Sequence, residues 1–244
     1  MDRTVQTDRV VLVTGASRGI GAGVAQQLLD RGIRVAGTYR TGRENVERLG
    51  PADQVLPVHL DLADLDTAEA AIKAVDQRWG RLDALVLNAA VWNGGKLATI
   101  DLDAWWSVID ANLRSTAAIV RAAIPWLVRA ENPSVVIVGS AVGSIGFPGD
   151  TAYASAKAAA VGFARSLAKE LAQDRVRVNV LAPGFVDTDM TSAISDRSRR
   201  KIADATLLGR FGTVEEIARA VVFLSEDATF CTGAVLAADG GWTL

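Results

Sequence analysis

Histidine and cysteine are almost missing from this chain. Its 244 residues carry one of each, His59 and Cys231. A single thiol closes no intrachain disulfide and builds no zinc site, and a reducing cytosol is its simplest home. Strong charge of either sign is lacking too: 26 basic residues stand against 28 acidic ones, for a net charge of -2. No basic stretch is long enough for a nucleic-acid surface, so no nucleic-acid partner is expected. No uncharged apolar run approaches the ~18 residues of a membrane span. Met1 to Arg9 are polar and charged, without the apolar centre of a signal peptide. These absences predict a soluble, cytoplasmic protein with no membrane partner. There is also no internal repeat, low-complexity tract or linker.

What is present is a hydrophobic half: 50% of the residues are apolar. A chain of this length can bury one large core, and 1–244 reads as a single domain. Short β-branched runs alternate with longer amphipathic segments. Strands are expected at Val10 to Val13, Ile33 to Tyr39, Gln54 to Val58, Asp83 to Leu87, Ser134 to Gly139, Val176 to Leu181 and Ala234 to Ala237. Helices are expected at Gly21 to Arg31, Leu65 to Trp79, Leu102 to Arg129, Thr151 to Gln173 and Thr213 to Ser225. Such alternation, with strands that are apolar throughout, predicts an α/β fold. Its form is a doubly wound, Rossmann-type three-layer sandwich on a seven-stranded parallel sheet. The stretch of about 185–208 is different: it is polar, with a cluster at Arg197, Arg199, Arg200 and Lys201. Lying beyond a strand end, it reads as a substrate lid or as a solvated surface excursion.

The first strand runs into Thr14-Gly15-Ala16-Ser17-Arg18-Gly19-Ile20-Gly21, and a helix follows. Glycines in this position let backbone approach a pyrophosphate, and the helix N-terminus offers free N–H groups. Gly15, Ser17, Arg18, Gly19, Ile20 and Gly21 are therefore candidate cofactor residues. The same letters also fit a Gly-x-Ser-x-Gly nucleophile elbow. That chemistry needs a histidine base, and His59 stands in the wrong order for one. About 20 residues on, an NAD enzyme would place an acid for the ribose 2′-hydroxyl. Here the second strand ends in Thr38-Tyr39-Arg40, with no acid before Glu44. Arg40 and Arg18 would attract a 2′-phosphate, so the expected cofactor is NADP(H).

Tyr153 and Lys157 are four apart on an expected helix and share one face. A nearby ammonium favours the phenolate and would lower the tyrosine pKa from about 10. Ser140 lies thirteen residues earlier, at a strand's carboxyl end, and outside any Gly-x-Ser-x-Gly pattern.

Taken together, the Thr14 to Gly21 loop, Asn88-Ala89-Ala90, Asn112, Ser140, Tyr153-Ala154-Ser155-Ala156-Lys157 and Pro183-Gly184 resemble the short-chain dehydrogenase/reductase family. The likeness covers nearly the whole chain. It implies that Tyr153 gives a proton to a carbonyl oxygen that Ser140 orients. It implies that Lys157 holds the nicotinamide ribose and tunes Tyr153, and that Asn112 helps hold a water linking Lys157 to solvent. It further implies adenine contacts from Asp61 and Leu62 and cofactor contacts from Asn88 and Ala89. Pro183, Gly184, Val186 and Thr188 would lie on the nicotinamide side. The family most often has a glycine where this chain has Ala90, so the adjacent cofactor loop is expected to pack differently.

Trp92, Val142, Phe147, Phe185 and Met190 fall on loops at strand carboxyl ends, where such sheets bind ligands. With Ser140 and Tyr153 they are the candidate substrate residues, and they suggest an apolar pocket. Within the family the chain looks most like 3-oxoacyl-(acyl-carrier-protein) reductases, through the stretches 183–190, 209–212 and 239–241. An acidic carrier protein would dock on basic residues. Where those reductases tend to place arginines before the fifth and sixth strands, this chain has Glu131 and Asp174, with Arg129 and Arg175 beside them. Reduction of free ketones, sterols or secondary alcohols stays open, as does an idle NADP-binding sensor or scaffold. The family is commonly tetrameric, so a homotetramer or homodimer is expected, built through the long helices and the last strand. Trp105 and Trp106 would pack at such an interface or in the core.

Overall fold

The computed structural model describes residues 8–244; most of the polar Met1 to Arg9 segment therefore lies outside the described residues. Seven strands form one sheet in the order β3-β2-β1-β4-β5-β6-β7, every pair parallel. They are β1 (Val10–Val13), β2 (Arg34–Tyr39), β3 (Val55–His59), β4 (Ala84–Leu87), β5 (Ser134–Val138), β6 (Arg177–Pro183) and β7 (Val235–Ala238). All positions of β1, β4, β5 and β6 are buried. That is what their unbroken apolar runs require of a sheet covered on both faces.

Helices α1 (Gly19–Leu29) and α9 (Val214–Val222) close one face, where Val24 and Leu28 meet Ala218 and Val221 in a common core. Helices α3 (Asp66–Trp79), α5 (Ser115–Leu127) and α7 (Thr151–Glu170) close the other, through side chains such as Ile72, Ile119 and Leu167. In α7 the buried residues Ala152, Ala156, Ala160, Ala164 and Ala168 recur every four positions. Such a stripe of small side chains brings the helix close to its neighbours. The residues that flank the stripe, Tyr153 and Lys157, are thereby carried to the carboxyl end of β5.

The expected long helix is not continuous. α4 (Leu102–Ile109) passes into α5 through a π-helical turn at Asp110–Arg114. Inside that turn Asn112 donates from Nδ2 to Val108 O at 2.8 Å and to Val91 O at 2.6 Å, and accepts from Val91 N at 3.3 Å. The extra residue in the turn satisfies a buried amide and ties the loop after β4 to the helix. Three short helices escaped the sequence reading: α2 (Arg43–Glu47), α6 (Val142–Ile145) and α8 (Asp196–Ala205). Each buries only one side chain, Val46, Val142 or Ile202, so none has the apolar stripe that marks a helix in a sequence. Helix α1 begins at Gly19, two residues ahead of its expected start. No helix among the described residues is long and apolar enough to cross a membrane.

Candidate active site

The chain leaves β1 towards β2 and leaves β4 towards β5, so a crevice opens between the carboxyl ends of β1 and β4. A cleft of about 610 Å³ occupies it. The phosphate loop forms one wall. Gly15 N donates to Thr38 Oγ1 at 3.1 Å and Ala16 N to Thr38 O at 2.8 Å, which pins the loop to β2. Thr14 Oγ1 accepts from Asn88 N and Ala89 N, both at 2.9 Å, and Asn88 Nδ2 donates to Thr14 O at 3.0 Å. Asn88 thus braces the two central strands where the ladder between them ends. Gly21 lies behind the loop rather than on the cleft. A Cβ there would stand 2.2 Å from Gly15 O and 2.6 Å from Asn88 Nδ2, so only glycine allows this approach.

The residues fit a dinucleotide. Among the described residues no side chain caps the N-terminus of α1, so its first N–H groups are left for an anion. Gly15, Ser17, Arg18, Gly19 and Ile20 line this end of the cleft, and Arg40, Asp61 and Leu62 line it beyond them. Arg18 and Arg40 are exposed, and among the described residues neither has an ion-pair partner. Their neighbour Arg43 is different, being spent on Glu47 at 2.8 Å. Thr38 and Thr41 also line this wall. Spacing alone could have found them, since they flank Arg40.

At the other end Ser140, Tyr153 and Lys157 converge. Ser140 Oγ accepts from Val142 N at 3.2 Å and hydrogen-bonds the Tyr153 phenol. Lys157 is buried, with Nζ donating to Val138 O at 2.8 Å and standing 5.4 Å from the Tyr153 ring centre. Burial pushes Lys157 down to about 8. Burial pushes Tyr153 up to about 12, the Asp150 carboxylate adds to this, and the Ser140 hydrogen bond opposes it. The expectation of a lowered tyrosine pKa is therefore reversed: desolvation of the phenolate, with the Asp150 charge, outweighs the Ser140 hydrogen bond. At neutral pH Tyr153 is a phenol that still holds its proton.

The nicotinamide-side wall is Pro183, Gly184, Val186 and Thr188, with Met190 at its edge. It is held from below. Gly184 N donates to Ala238 O at 3.2 Å, Asp187 N to Gly212 O at 3.0 Å, and Thr191 Oγ1 to Val186 O at 2.6 Å. Asn88, Ala89 and Trp92 line the opposite wall. Besides Gly21, four expected residues do not line the cleft. Asn112 sits behind Val91, and Val142 is buried in α6. Phe147 and Phe185 stack with Trp242, and Phe185 with Phe211 as well, at 5.0–6.2 Å between ring centres. Trp105 is neither core nor free: its indole donates to Thr151 Oγ1 at 3.0 Å while Trp106 beside it is 57% exposed.

A family model described as enoyl-(acyl carrier protein) reductase matches residues 15–243. The chain is 38% identical over 237 residues to the 3-oxoacyl-(acyl-carrier-protein) reductase of Salmonella typhimurium, covering 96% of both chains. It is 36% identical over 240 residues to the enzyme of that name from Thermotoga maritima, covering 96% of this chain and 97% of that one. Among solved structures, it is similar to a short-chain dehydrogenase/reductase titled glucose/ribitol dehydrogenase from Brucella melitensis. That match has a TM-score of 0.91 and 29% identity over 97% of each chain. It is also similar to a blue fluorescent protein from a metagenomic library in complex with NADPH, at TM-score 0.90 and 31% identity over 97% of this chain and 98% of that one. With its sheet order, phosphate loop and Ser140–Tyr153–Lys157 cluster on the same cleft, the chain belongs to the short-chain dehydrogenase/reductase family and is an oxidoreductase.

Proposed function

We propose that this protein reduces the 3-oxo group of a 3-oxoacyl thioester to a secondary alcohol with NADPH, or runs the reverse reaction. One observation carries the reading. A protonated tyrosine, hydrogen-bonded to Ser140 and stacked near a buried lysine, faces a cleft whose far end holds two arginines with no ion-pair partner among the described residues. The names of the relatives support the substrate, and the NADPH-bound neighbour supports the cofactor.

In this reading the N-terminus of α1 and the loop before it hold the pyrophosphate. Asp61 and Leu62 flank adenine, Arg40 and Arg18 hold the 2′-phosphate, and Asn88 and Ala89 line the middle. Pro183, Gly184, Val186 and Thr188 lie along the nicotinamide. The cofactor supplies the hydride. Tyr153 donates its proton to the substrate oxygen, and Ser140 donates a hydrogen bond that orients the same oxygen. The Lys157 ammonium holds ribose hydroxyls and stabilises the negative charge left on Tyr153. Asn112 positions Val91 on the cleft wall. Trp92 and Met190 bound the substrate side. Residues 185–208 act as a lid within a single 1–244 domain. Helix α8 of that stretch is anchored by Ile202, by an Arg199–Asp187 ion pair and by Arg199 packed 4.1 Å over Phe211. Exposed Leu102, Trp106, Phe230 and Val235 suit self-association into a dimer or tetramer, and the cytoplasm suits the lone thiol.

The test follows NADPH absorbance with a short 3-oxoacyl thioester, with NADH in parallel. NADPH should be consumed and NADH spared. No turnover of the thioester despite NADPH binding removes this substrate. A free ketone, sterol or secondary alcohol is then the second reading. It is favoured by the mixed charge of Glu131, Asp174, Arg129 and Arg175, because an acidic carrier gains little there. Cofactor choice has its own check. Arg40→Ala should raise KM for NADPH roughly ten- to a hundredfold, the worth of a charge-assisted contact, and move KM for NADH by less than about threefold. Equal effects on both would remove Arg40 from the 2′-phosphate.

A further inference from the structure

Asp150 occupies the N-cap of α7, three residues before Tyr153, yet its side chain makes no capping bond. Its Oδ1 instead accepts the indole N–H of Trp92 at 2.9 Å. Among the described residues nothing donates to its second oxygen. The two segments are stitched together beside this contact, where Gly95 N donates to Gly149 O at 2.8 Å. Gly94 leaves room for the indole: a Cβ there would stand 2.7 Å from Trp92 Cζ2 and 3.3 Å from Asp150 Oδ1. The carboxylate is thus fixed behind a cleft-lining tryptophan and close enough to Tyr153 to act on its charge.

We infer that Asp150, clasped by Trp92, is a specificity-determining residue that turns away substrates bearing an anion near the reacting carbonyl, so the site takes neutral 3-oxo esters and thioesters and refuses free 3-oxo acids. The inference deepens the proposed 3-oxoacyl function and rests on it for the naming of the substrate class. Residues three apart at a helix start have Cβ atoms about 5–6 Å apart. A 3-oxo acid places its carboxylate two bonds from the carbonyl that Tyr153 protonates. Taking the two anions as roughly 8 Å apart sets the scale of their repulsion. At an effective dielectric near 20, repulsion at that distance is worth roughly thirtyfold in affinity, and about tenfold once solvent screening of a partly exposed acid is allowed for. Rejection by placing like charges together discriminates without any new attractive contact. Asp150 acts from behind Trp92, and Asp189 lines the cleft itself from the lid side. Asp61 is at the adenine end, and Lys157 points to Val138 O.

The experiment compares acetoacetate with its neutral ethyl ester on wild type, Asp150→Asn and Asp189→Asn. Asparagine keeps an acceptor for the Trp92 indole and removes the charge. The ratio of kcat/KM for acetoacetate to that for ethyl acetoacetate should rise about tenfold in Asp150→Asn and stay within about twofold in Asp189→Asn. Loss of both substrates in proportion would mean that Asp150 only holds Trp92, and overturns the inference. So does a ratio that moves in Asp189→Asn instead. If wild type turns over neither compound, the 3-oxoacyl reading stands or falls on the thioester assay above, and the charge filter is read from binding. The Kd of acetoacetate for the enzyme–NADPH complex, followed by NADPH fluorescence, should then fall about tenfold in Asp150→Asn, and an unchanged Kd overturns the filter.

Discussion

Tyr153→Phe should lower kcat for carbonyl reduction roughly a hundred- to ten-thousandfold, the usual worth of a positioned proton donor. The substitution removes one oxygen and leaves the ring that stacks near Lys157. Binding of NADPH should be unchanged within about twofold. Ser140 loses one hydrogen-bond partner, a cost of about 1 kcal/mol, so the melting temperature should fall by only a few degrees. Stopped-flow turnover, cofactor titration and calorimetry on one preparation separate these effects. Full activity in the variant would remove Tyr153 from catalysis. An idle cofactor-binding role would instead show NADPH binding with no turnover in wild type and variant alike.

Lys157→Met should have the second largest effect, and an unusual one: less activity and more stability. Burial holds the lysine at about 8 where 10.5 is its ordinary value. The folded protein therefore gives up this proton more readily than the unfolded chain. Below pH 8 the buried ammonium costs up to about 3 kcal/mol, and the cost disappears as pH rises to 10.5. Methionine removes that cost but leaves Val138 O without its donor, which returns about 1–3 kcal/mol. The balance is about 1 kcal/mol or a little more in favour of the variant at pH 7, or about 2–4 °C in Tm. The advantage should shrink above pH 8 and be reversed by pH 10.5, where only the unpaired Val138 O remains to be counted. Turnover should fall at least about a hundredfold, because no cation remains to hold the ribose or stabilise the charge on Tyr153. In wild type, kcat/KM for reduction should fall above pH 8 as Lys157 loses its proton, and that limb should be missing in the variant. A variant less stable than wild type at every pH would sink the account of a strained buried lysine. Stability is here given up for function, as active sites commonly require.

The order and type of the long elements were legible because their sequence patterns are those of burial. Val10–Val13 and Ser134–Val138 are apolar at nearly every position because both faces of the sheet are covered. The phosphate loop was legible because glycine is used where backbone must come close, as at Gly21. Helices α2, α6 and α8 were not, since each rests on one buried residue and on neighbours distant in sequence. The π-helical turn at Asp110–Arg114 was hidden for a related reason. Its cause is the contact between Asn112 and Val91, twenty-one residues away, and no periodicity records it.

The candidate site divides along the same line. The sequence determined which chemical groups are present: a glycine loop, two arginines with no acid beside them, and a serine, a tyrosine and a lysine at fixed spacing on strand and helix. These are local facts of residue type and period. The tertiary structure alone decided the electrostatics. Helical spacing brought Lys157 beneath Tyr153, but burial reversed the expected pKa and left the phenol protonated. Only the folded chain moved Phe147 and Phe185 away from the cleft into a cluster with Trp242, and brought Asp150 to Trp92. Burial and long-range contact depend on what surrounds a residue from every direction, and a one-dimensional pattern carries only the neighbours along the chain.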